Sequence, residues 1–402
     1  MSTIAAGLTF YVPVSALFLV SRGQTLGDIF VFESILLVSI LIVEVPSGLL
    51  ADRVDRRSII ITGFVLNAIA EVLFAAGNSF AMFAASFAVS GFGIAMLTGV
   101  QDAYIYDALG DDADDKSVGV WGHMSSLELG AGVVGSVVGG LLATVNLSWP
   151  AVAAAIAACL AAVAAFFLAH QRPSDGDEDE SETPLVALRR GMGLLFTSPI
   201  LLYTAVGSSA AFVLFNAVFT LNQPLFEAAR VPVAMWGVIG GGAQLCAALY
   251  NHFAGRVVDR VGRKSGLLLA MGYGAAGFAL MVIPNAVAVV IGFVLVVVGM
   301  NARGPITRAV ANKVIPTSRR ATVLNAASTV GSLVGVVANP LIGRGAEASP
   351  AITVGVIALM LFFSCSRGFR LPIDSYKQMR SQIIEMKNSR RRRRMTPSAR
   401  MR

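Results

Sequence analysis

The stretch Gly48–Arg57, with the sequence GLLADRVDRR, places a charged segment between two long apolar runs. An apolar run of about 20 residues is long enough to cross a bilayer as a helix. A segment rich in Asp and Arg is costly in hydrocarbon. The stretch therefore predicts a short loop between two membrane spans.

The same pattern returns in the second part of the chain. Gly255–Lys264, with the sequence GRVVDRVGRK, has Gly, Asp, Arg and two further basic residues at matching positions. Such a recurrence indicates an internal duplication. The shared pattern G-x-x-x-D-R-x-[GD]-R-[RK], after the second and the eighth predicted spans, resembles the loop signature of the major facilitator superfamily. The resemblance implies a secondary transporter of the drug or metabolite exporter type, whose two halves rock around a central cavity.

The composition independently indicates a polytopic membrane protein, because 55% of the residues are hydrophobic and 14% are charged. We predict an all-α protein of twelve transmembrane helices in two six-helix bundles. The predicted spans lie near residues 3–21, 27–50, 58–77, 80–108, 118–145, 149–170, 199–222, 233–254, 265–283, 286–311, 322–345 and 350–370. The chain then divides into an N-terminal half (1–170), an acidic linker (171–197), a C-terminal half (198–371) and a basic tail (372–402).

The distribution of Lys and Arg predicts the orientation. Nearly all of the 31 basic residues fall in the loops that follow even-numbered spans, in the linker and in the tail. Basic loops stay in the cytoplasm. Both termini, the linker and the tail are therefore predicted to be cytoplasmic, in the plasma or inner membrane. The five consecutive arginines 390–394 favour anionic lipid as a partner. No nucleic-acid partner is expected, because no aromatic residues interleave the basic run.

The resemblance also implies a conformational latch at the two repeated loops. In this latch, Asp52 caps the start of the eleventh helix, and Arg56 bridges Asp52 to Asp107 at the end of the fourth helix. The alternative is that the basic loop only fixes membrane topology. The predicted latch residues are Gly48, Asp52, Arg53, Arg56, Asp107, Asp259 and Arg263.

Ionisable residues within spans are candidate functional groups because they are costly in the bilayer unless paired or hydrated. Glu128 lies deep in the fifth predicted span, and we predict that it is the proton-coupling group. The alternative is that it only joins helices through hydrogen bonds. Glu33 and Glu71 lie toward the outer ends of their spans, where we expect them to face water.

The internal repeat aligns Asp102 of the fourth predicted span with Arg303 of the tenth. Opposite charges at equivalent positions predict a gate in which the two side chains pair across the interface. Two alternatives remain open. Arg303 binds an anionic group of the substrate, or both residues face cytoplasmic water.

Ala131–Gly140, with the sequence AGVVGSVVGG, resembles the glycine-rich exporter signature of the fifth helix, with Ser136 where that signature has Pro. The alternative is that these small residues only allow close helix packing. The resemblance also implies that Tyr11, Asn216 and Asn222 line the cavity.

No nucleotide-binding G-x-x-x-x-G-K-[ST] and no metal-spaced Cys and His cluster is present in the sequence, so we expect no enzyme, cofactor or metal. The predicted function is proton-coupled export of a small organic compound by alternating access. The alternatives are uptake of a metabolite or sugar, and a transporter-like receptor or scaffold that does not transport.

Overall fold

The computed structural model describes residues 8, 10–51, 54–98, 100–101, 104, 113–168, 192–193, 196, 199–314 and 320–364. Within these ranges the regular structure is helical. A 3-10 turn at Val12–Val14 precedes α1 (Ser15–Ser21), and the other helices are α2 (Leu26–Ala51), α3 (Arg56–Ala76), α4 (Phe80–Leu97), α5 (Ala113–Val145), α6 (Trp149–Ala165), α7 (Pro199–Asn216), α8 (Val218–Ala228), α9 (Val233–Met281), α10 (Ala286–Val314), α11 (Arg320–Ala348) and α12 (Pro350–Phe363). Helix α9 is kinked at Gly262, whose φ of 82° is not helical.

The helices have the length and polarity of a multi-pass membrane protein. Seven described segments are long and apolar enough to cross a bilayer, and five shorter apolar helices have 10–17 residues. The all-α polytopic class predicted from the sequence is confirmed. The count of twelve spans, divided six and six, stays a prediction.

Two helix pairs join the first part of the chain to the second. Helix α2 packs along α11, and α5 packs along α9. Within the first part, α4 contacts α2 and α3, and α3 contacts α6. Within the second part, α7 contacts α11, and α9 contacts α10 and α12. The α2–α11 and α5–α9 pairs are therefore the most extensive contacts between the two parts among the described residues, and α8 also contacts α1.

At one end of the bundle the interhelical connections and the two parts of the chain lie in contact, and we call this end the closed face. Here Arg22, between α1 and α2, donates hydrogen bonds to the Gly77 carbonyl (3.2 Å) and to Ser148 Oγ (3.0 Å). These contacts join three interhelical connections. Across the two parts, a Cβ placed on Gly343 of α11 would lie only 3.1 Å from Gly27 Cα of α2. A side chain at either glycine would hold the helices apart.

The α5–α9 crossing is also built from small residues. A Cβ added to Gly140 would lie 2.9 Å from the Gly237 backbone nitrogen, and one added to Gly237 would collide with the Ser136 carbonyl. The neighbouring Gly139 faces the Phe10 backbone instead. The stretch AGVVGSVVGG therefore does allow close packing, on two sides of α5.

The charged loop after α2 is described from Val54 onward. Asp55 caps α3, because its Oδ1 accepts the Arg57 backbone N–H at 3.2 Å. Arg57 Nη2 then donates to the Phe166 carbonyl at 2.6 Å, beyond the end of α6. This part of the loop signature therefore fixes the start of α3 and ties it to α6.

Candidate functional site: the contact of α1, α2 and α8

Two interrupted helices meet beneath the closed face. Helix α1 starts only after the 3-10 turn, and its N-cap residue Val14 makes no side-chain cap. Helix α8 is separated from α7 at Ala217 and contains Pro224, which has no N–H to donate. Interrupted helices leave backbone polar groups without intrahelical partners. In a membrane protein such groups need side-chain partners.

Gln223 of α8 supplies these partners from the other part of the chain. Its Oε1 accepts the Leu17 N–H at 2.9 Å, and its Nε2 donates to the Val12 carbonyl and to Ser15 Oγ, each at 3.2 Å. The Gln223 residue is 1% exposed. Because Leu17 is the third residue of α1, Gln223 acts as the missing cap of that helix.

Thr220, one turn before Gln223, makes a second contact between the two parts. Its hydroxyl donates to Glu33 Oε1 of α2 at 3.0 Å. The adjacent Ser34 hydroxyl reaches the Val336 carbonyl of α11 at 3.4 Å. The sequence predicted that Glu33 faces water; the residue is half-buried, and its Oε1 binds this hydroxyl across the interface.

A second carboxylate lies next to this contact but within the first part of the chain. The Tyr11 hydroxyl donates to Glu71 Oε1 at 3.2 Å, and the Tyr11 ring packs on Phe74 at 4.7 Å between centroids. Glu71 Oε2 is buried and has no hydrogen-bond partner among the described residues. Glu71 was also expected to face water. Instead its Oε2 is buried, while its Oε1 binds Tyr11.

The predicted cavity-lining residues have different environments. Tyr11 belongs to the polar group just described. Asn222 is 6% exposed, and its buried Oδ1 has no hydrogen-bond partner in the described part of the chain. Asn216 is exposed at the end of α7. The role of these three side chains toward a substrate stays a prediction.

Arg303 lies on α10 and is 9% exposed. Its Nη1 donates to the Ser208 carbonyl of α7 at 2.6 Å, and its guanidinium carbon is 6.0 Å from the centre of the Phe212 ring. The proposed partner Asp102 lies outside the described residues. The contacts with α7 show how the arginine is held, and the gate stays a prediction.

The other predicted site residues are only partly described. Asp52, Arg53, Asp102 and Asp107 lie outside the described residues, whereas Arg56 is the first residue of α3. Gly48, Glu128, Asp259 and Arg263 lie in the helices α2, α5 and α9, and their side-chain environments are not among those described. Among the described side chains, no group of three or more His, Cys, Asp or Glu residues is placed to hold a metal ion.

The contact region thus combines hydrogen bonds between two groups of helices with two carboxylates that each accept a hydroxyl. Comparison with known proteins identifies the family. Residues 1–339 match the family described as the Major Facilitator Superfamily. The chain belongs to this superfamily. It is a multi-pass membrane protein of the superfamily that the repeated loop signature predicted.

Curated relatives of this superfamily member include the quinolone resistance protein NorA of Staphylococcus aureus. It is 22% identical over 235 residues, which cover 58% of this chain and 60% of the relative. The nucleoside transporter NupG has the same fold, with a TM-score of 0.77 at 14% identity over 91% of this chain and 96% of NupG. A bacterial homologue of the human lysosomal transporter Spinster, in an inward-facing conformation, gives a TM-score of 0.69 at 15% identity, over 92% of this chain and 95% of that one.

Proposed function

We propose that this superfamily member exports a small organic compound in exchange for protons. Its two six-helix halves, 1–170 and 198–371, would rock about the α2–α11 and α5–α9 contacts, so that a central site opens to one face at a time. Both termini, the linker and the basic tail would lie in the cytoplasm. The protein would lie in the plasma or inner membrane. Anionic lipid would bind the tail.

The observation that carries this proposal is the composition of the interface at the closed face. The halves are joined there by Gln223, Thr220 and Ser34, whose hydrogen bonds water can replace when the face opens. An interface held by such exchangeable bonds suits a transporter that opens and closes in every cycle. Export is favoured over uptake by the likeness to NorA and by the AGVVGSVVGG stretch.

Proton coupling is proposed to require Glu128 of α5. In reconstituted vesicles with an imposed pH gradient, the protein should move a fluorescent quinolone toward the acidic compartment. Glu128→Gln should abolish the dependence of this flux on the gradient. Glu227→Gln is a matched control, because Glu227 is an exposed carboxylate on α8. It should leave the flux unchanged.

The same vesicles separate the alternatives. Gradient-driven movement of labelled uridine away from the acidic compartment, with no quinolone flux, would replace export with uptake. Binding of either probe without flux in folded, inserted protein would favour a receptor or scaffold. An unchanged pH profile in Glu128→Gln would remove this residue from the coupling mechanism.

A further inference from the structure

The contact between α2 and α11 continues to the closed face and ends there at a charged side chain. Along this contact the Ser34 hydroxyl donates to the Val336 carbonyl, and Gly343 lies against Gly27. One turn after Gly343, the exposed Glu347 places its carboxyl group against the Gly27 backbone. A Cβ added to Gly27 would lie 2.7 Å from Glu347 Cδ and would collide with Glu347 Oε1. The carboxylate of α11 therefore occupies the space that a side chain at position 27 would fill.

Gly27 is the second residue of α2, so the Glu347 carboxylate lies at the amino end of that helix. The first turn has a cap of its own, in which Thr25 Oγ1 accepts the Asp28 N–H at 3.1 Å and Asp28 Oδ2 accepts the Thr25 N–H at 2.8 Å. The Leu26 and Gly27 amides have no hydrogen-bond partner in the described part of the chain. Such an end carries partial positive charge and attracts an anion.

Helix α11 itself disfavours a carboxylate at this position. Glu347 is the last residue but one of α11, which ends at Ala348, and the carboxyl end of a helix carries partial negative charge. The amino end of α12 has another partner, because Ser349 Oγ accepts the Ile352 N–H at 3.3 Å. The charge of Glu347 is therefore unfavourable within its own helix, and the favourable partner lies on the other half of the protein.

We propose that Glu347 is a latch residue of the closed face and that its charge stabilises the closed conformation. With the face closed, the carboxylate lies at the positive end of α2. When α2 and α11 separate, it keeps only the repulsion from the end of its own helix. A charge at an exposed helix end shifts such an equilibrium by about two- to fivefold. The inference goes beyond the proposed export, because it concerns the two conformations and neither the compound nor the coupling ion.

The test measures the distance between the halves without any substrate. Spin labels are placed at Asn78→Cys, between α3 and α4, and at Pro284→Cys, between α9 and α10, both of which are exposed. The background carries Cys159→Ser, Cys246→Ser and Cys365→Ser. Glu347→Gln removes the charge and keeps the length of the side chain. In low salt we expect it to raise the ratio of open to closed molecules about two- to fivefold.

Salt separates a latch that acts through charge from a contact that is only steric. Screening shortens the reach of an exposed charge from about 10 Å at 0.1 M salt to about 3 Å at 1 M. We therefore expect about 1 M KCl to open the parent about two- to fivefold more than it opens Glu347→Gln. Glu227→Gln is the matched control, since Glu227 is an exposed carboxylate in the last turn of α8. It should keep both the ratio and the salt response of the parent.

A second pair of variants tests where the carboxylate acts. Gly27→Ala places a methyl group where the Glu347 carboxylate lies, so it should open the face by a factor similar to that of Glu347→Gln. In a Glu347→Ala background the methyl group meets no carboxylate and should add little further opening. Fully additive effects of the two alanine substitutions would show that the carboxylate does not act at Gly27.

The proposal is overturned if Glu347→Gln keeps the ratio of the parent in low salt, or if the two proteins respond equally to salt. If the parent is almost wholly closed, the comparison is made in a Gln223→Leu background, which lacks the hydrogen bonds of Gln223 to the other half. The expected Glu347 effect in protein that moves neither quinolone nor uridine would uphold the latch while the proposed export fails. Normal export without that effect would have the opposite meaning.

Discussion

Gln223 and Leu17 lie 206 positions apart in the chain, yet the Gln223 side chain accepts the Leu17 N–H at 2.9 Å. The bond caps α1 of one half from α8 of the other. Closure of this face therefore completes a helix as well as an interface. The relationship makes the stability of the closed state depend on one amide side chain.

Replacing Gln223 with Leu should open the closed face. The change removes the acceptor of the Leu17 N–H and the donor to Ser15, and leaving a buried polar group unpaired costs about 1–3 kcal/mol. Spin-label distances between positions 78 and 284 report the shift. Asn222→Leu is the matched control, since Asn222 is buried beside Gln223 but its Oδ1 has no partner among the described residues. Equal opening in both variants would contradict the capping role.

Replacing Gly237 with Ala should destabilise the α5–α9 crossing. The added Cβ meets the Ser136 carbonyl, and overpacking of this kind typically costs about 1–3 kcal/mol. Thermal unfolding of the purified protein measures the loss. Gly240→Ala, on the same helix, has nothing within 4 Å of its added Cβ and should be neutral or stabilising. If the two variants unfold at the same temperature, this close approach contributes nothing to stability.

Asp52→Asn should slow transport by about two- to fivefold, the range that a helix-dipole interaction of about 0.3–1 kcal/mol provides. The reason is the predicted contact of Asp52 with the start of α11. Asp55→Asn is the control, because Asn caps helices about as well as Asp and Asp55 caps α3. Flux and thiol accessibility on the face opposite the closed face give the readout. Unchanged values for Asp52→Asn would leave the loop a topological role only.

Reversing charges tests the predicted gate between Asp102 and Arg303. Asp102→Arg and Arg303→Asp should each abolish flux, because each leaves two like charges in a cleft of low dielectric. The double swap should restore part of the flux. If the double swap recovers none, Arg303 is better explained as a substrate contact held in place by Ser208 and Phe212.

The sequence was sufficient for the family and for the helical class, because apolar length and a repeated charged loop are local signals. The sequence predicted that AGVVGSVVGG packs closely against another helix, but it did not predict that this helix is α9. Four-residue spacing of small residues predicts close packing, but it does not say that Gly140 meets Gly237 while Gly139 meets the Phe10 backbone. The choice of neighbour depends on how the whole bundle packs.

The partners of Glu33 and Glu71 were not predicted for the same reason. Depth along a span suggested contact with water, and it did not reveal that each half-buried carboxylate also accepts a hydroxyl from a distant part of the chain. Gln223 and Ser15 were recognisable as polar residues in membrane spans. Their pairing was not recognisable, because it depends on the interruptions in α1 and α8 and on contacts between distant parts of the chain.

The cap that Gln223 places on α1 also bears on the order in which the protein is made. The first helix enters the membrane long before residue 223 has been synthesised. At that stage Gln223 is not yet present to accept the Leu17 N–H. The amino end of α1 is therefore completed late in biogenesis. An N-terminal half expressed alone would keep that end exposed to hydrogen exchange, and co-expression of the C-terminal half would protect it.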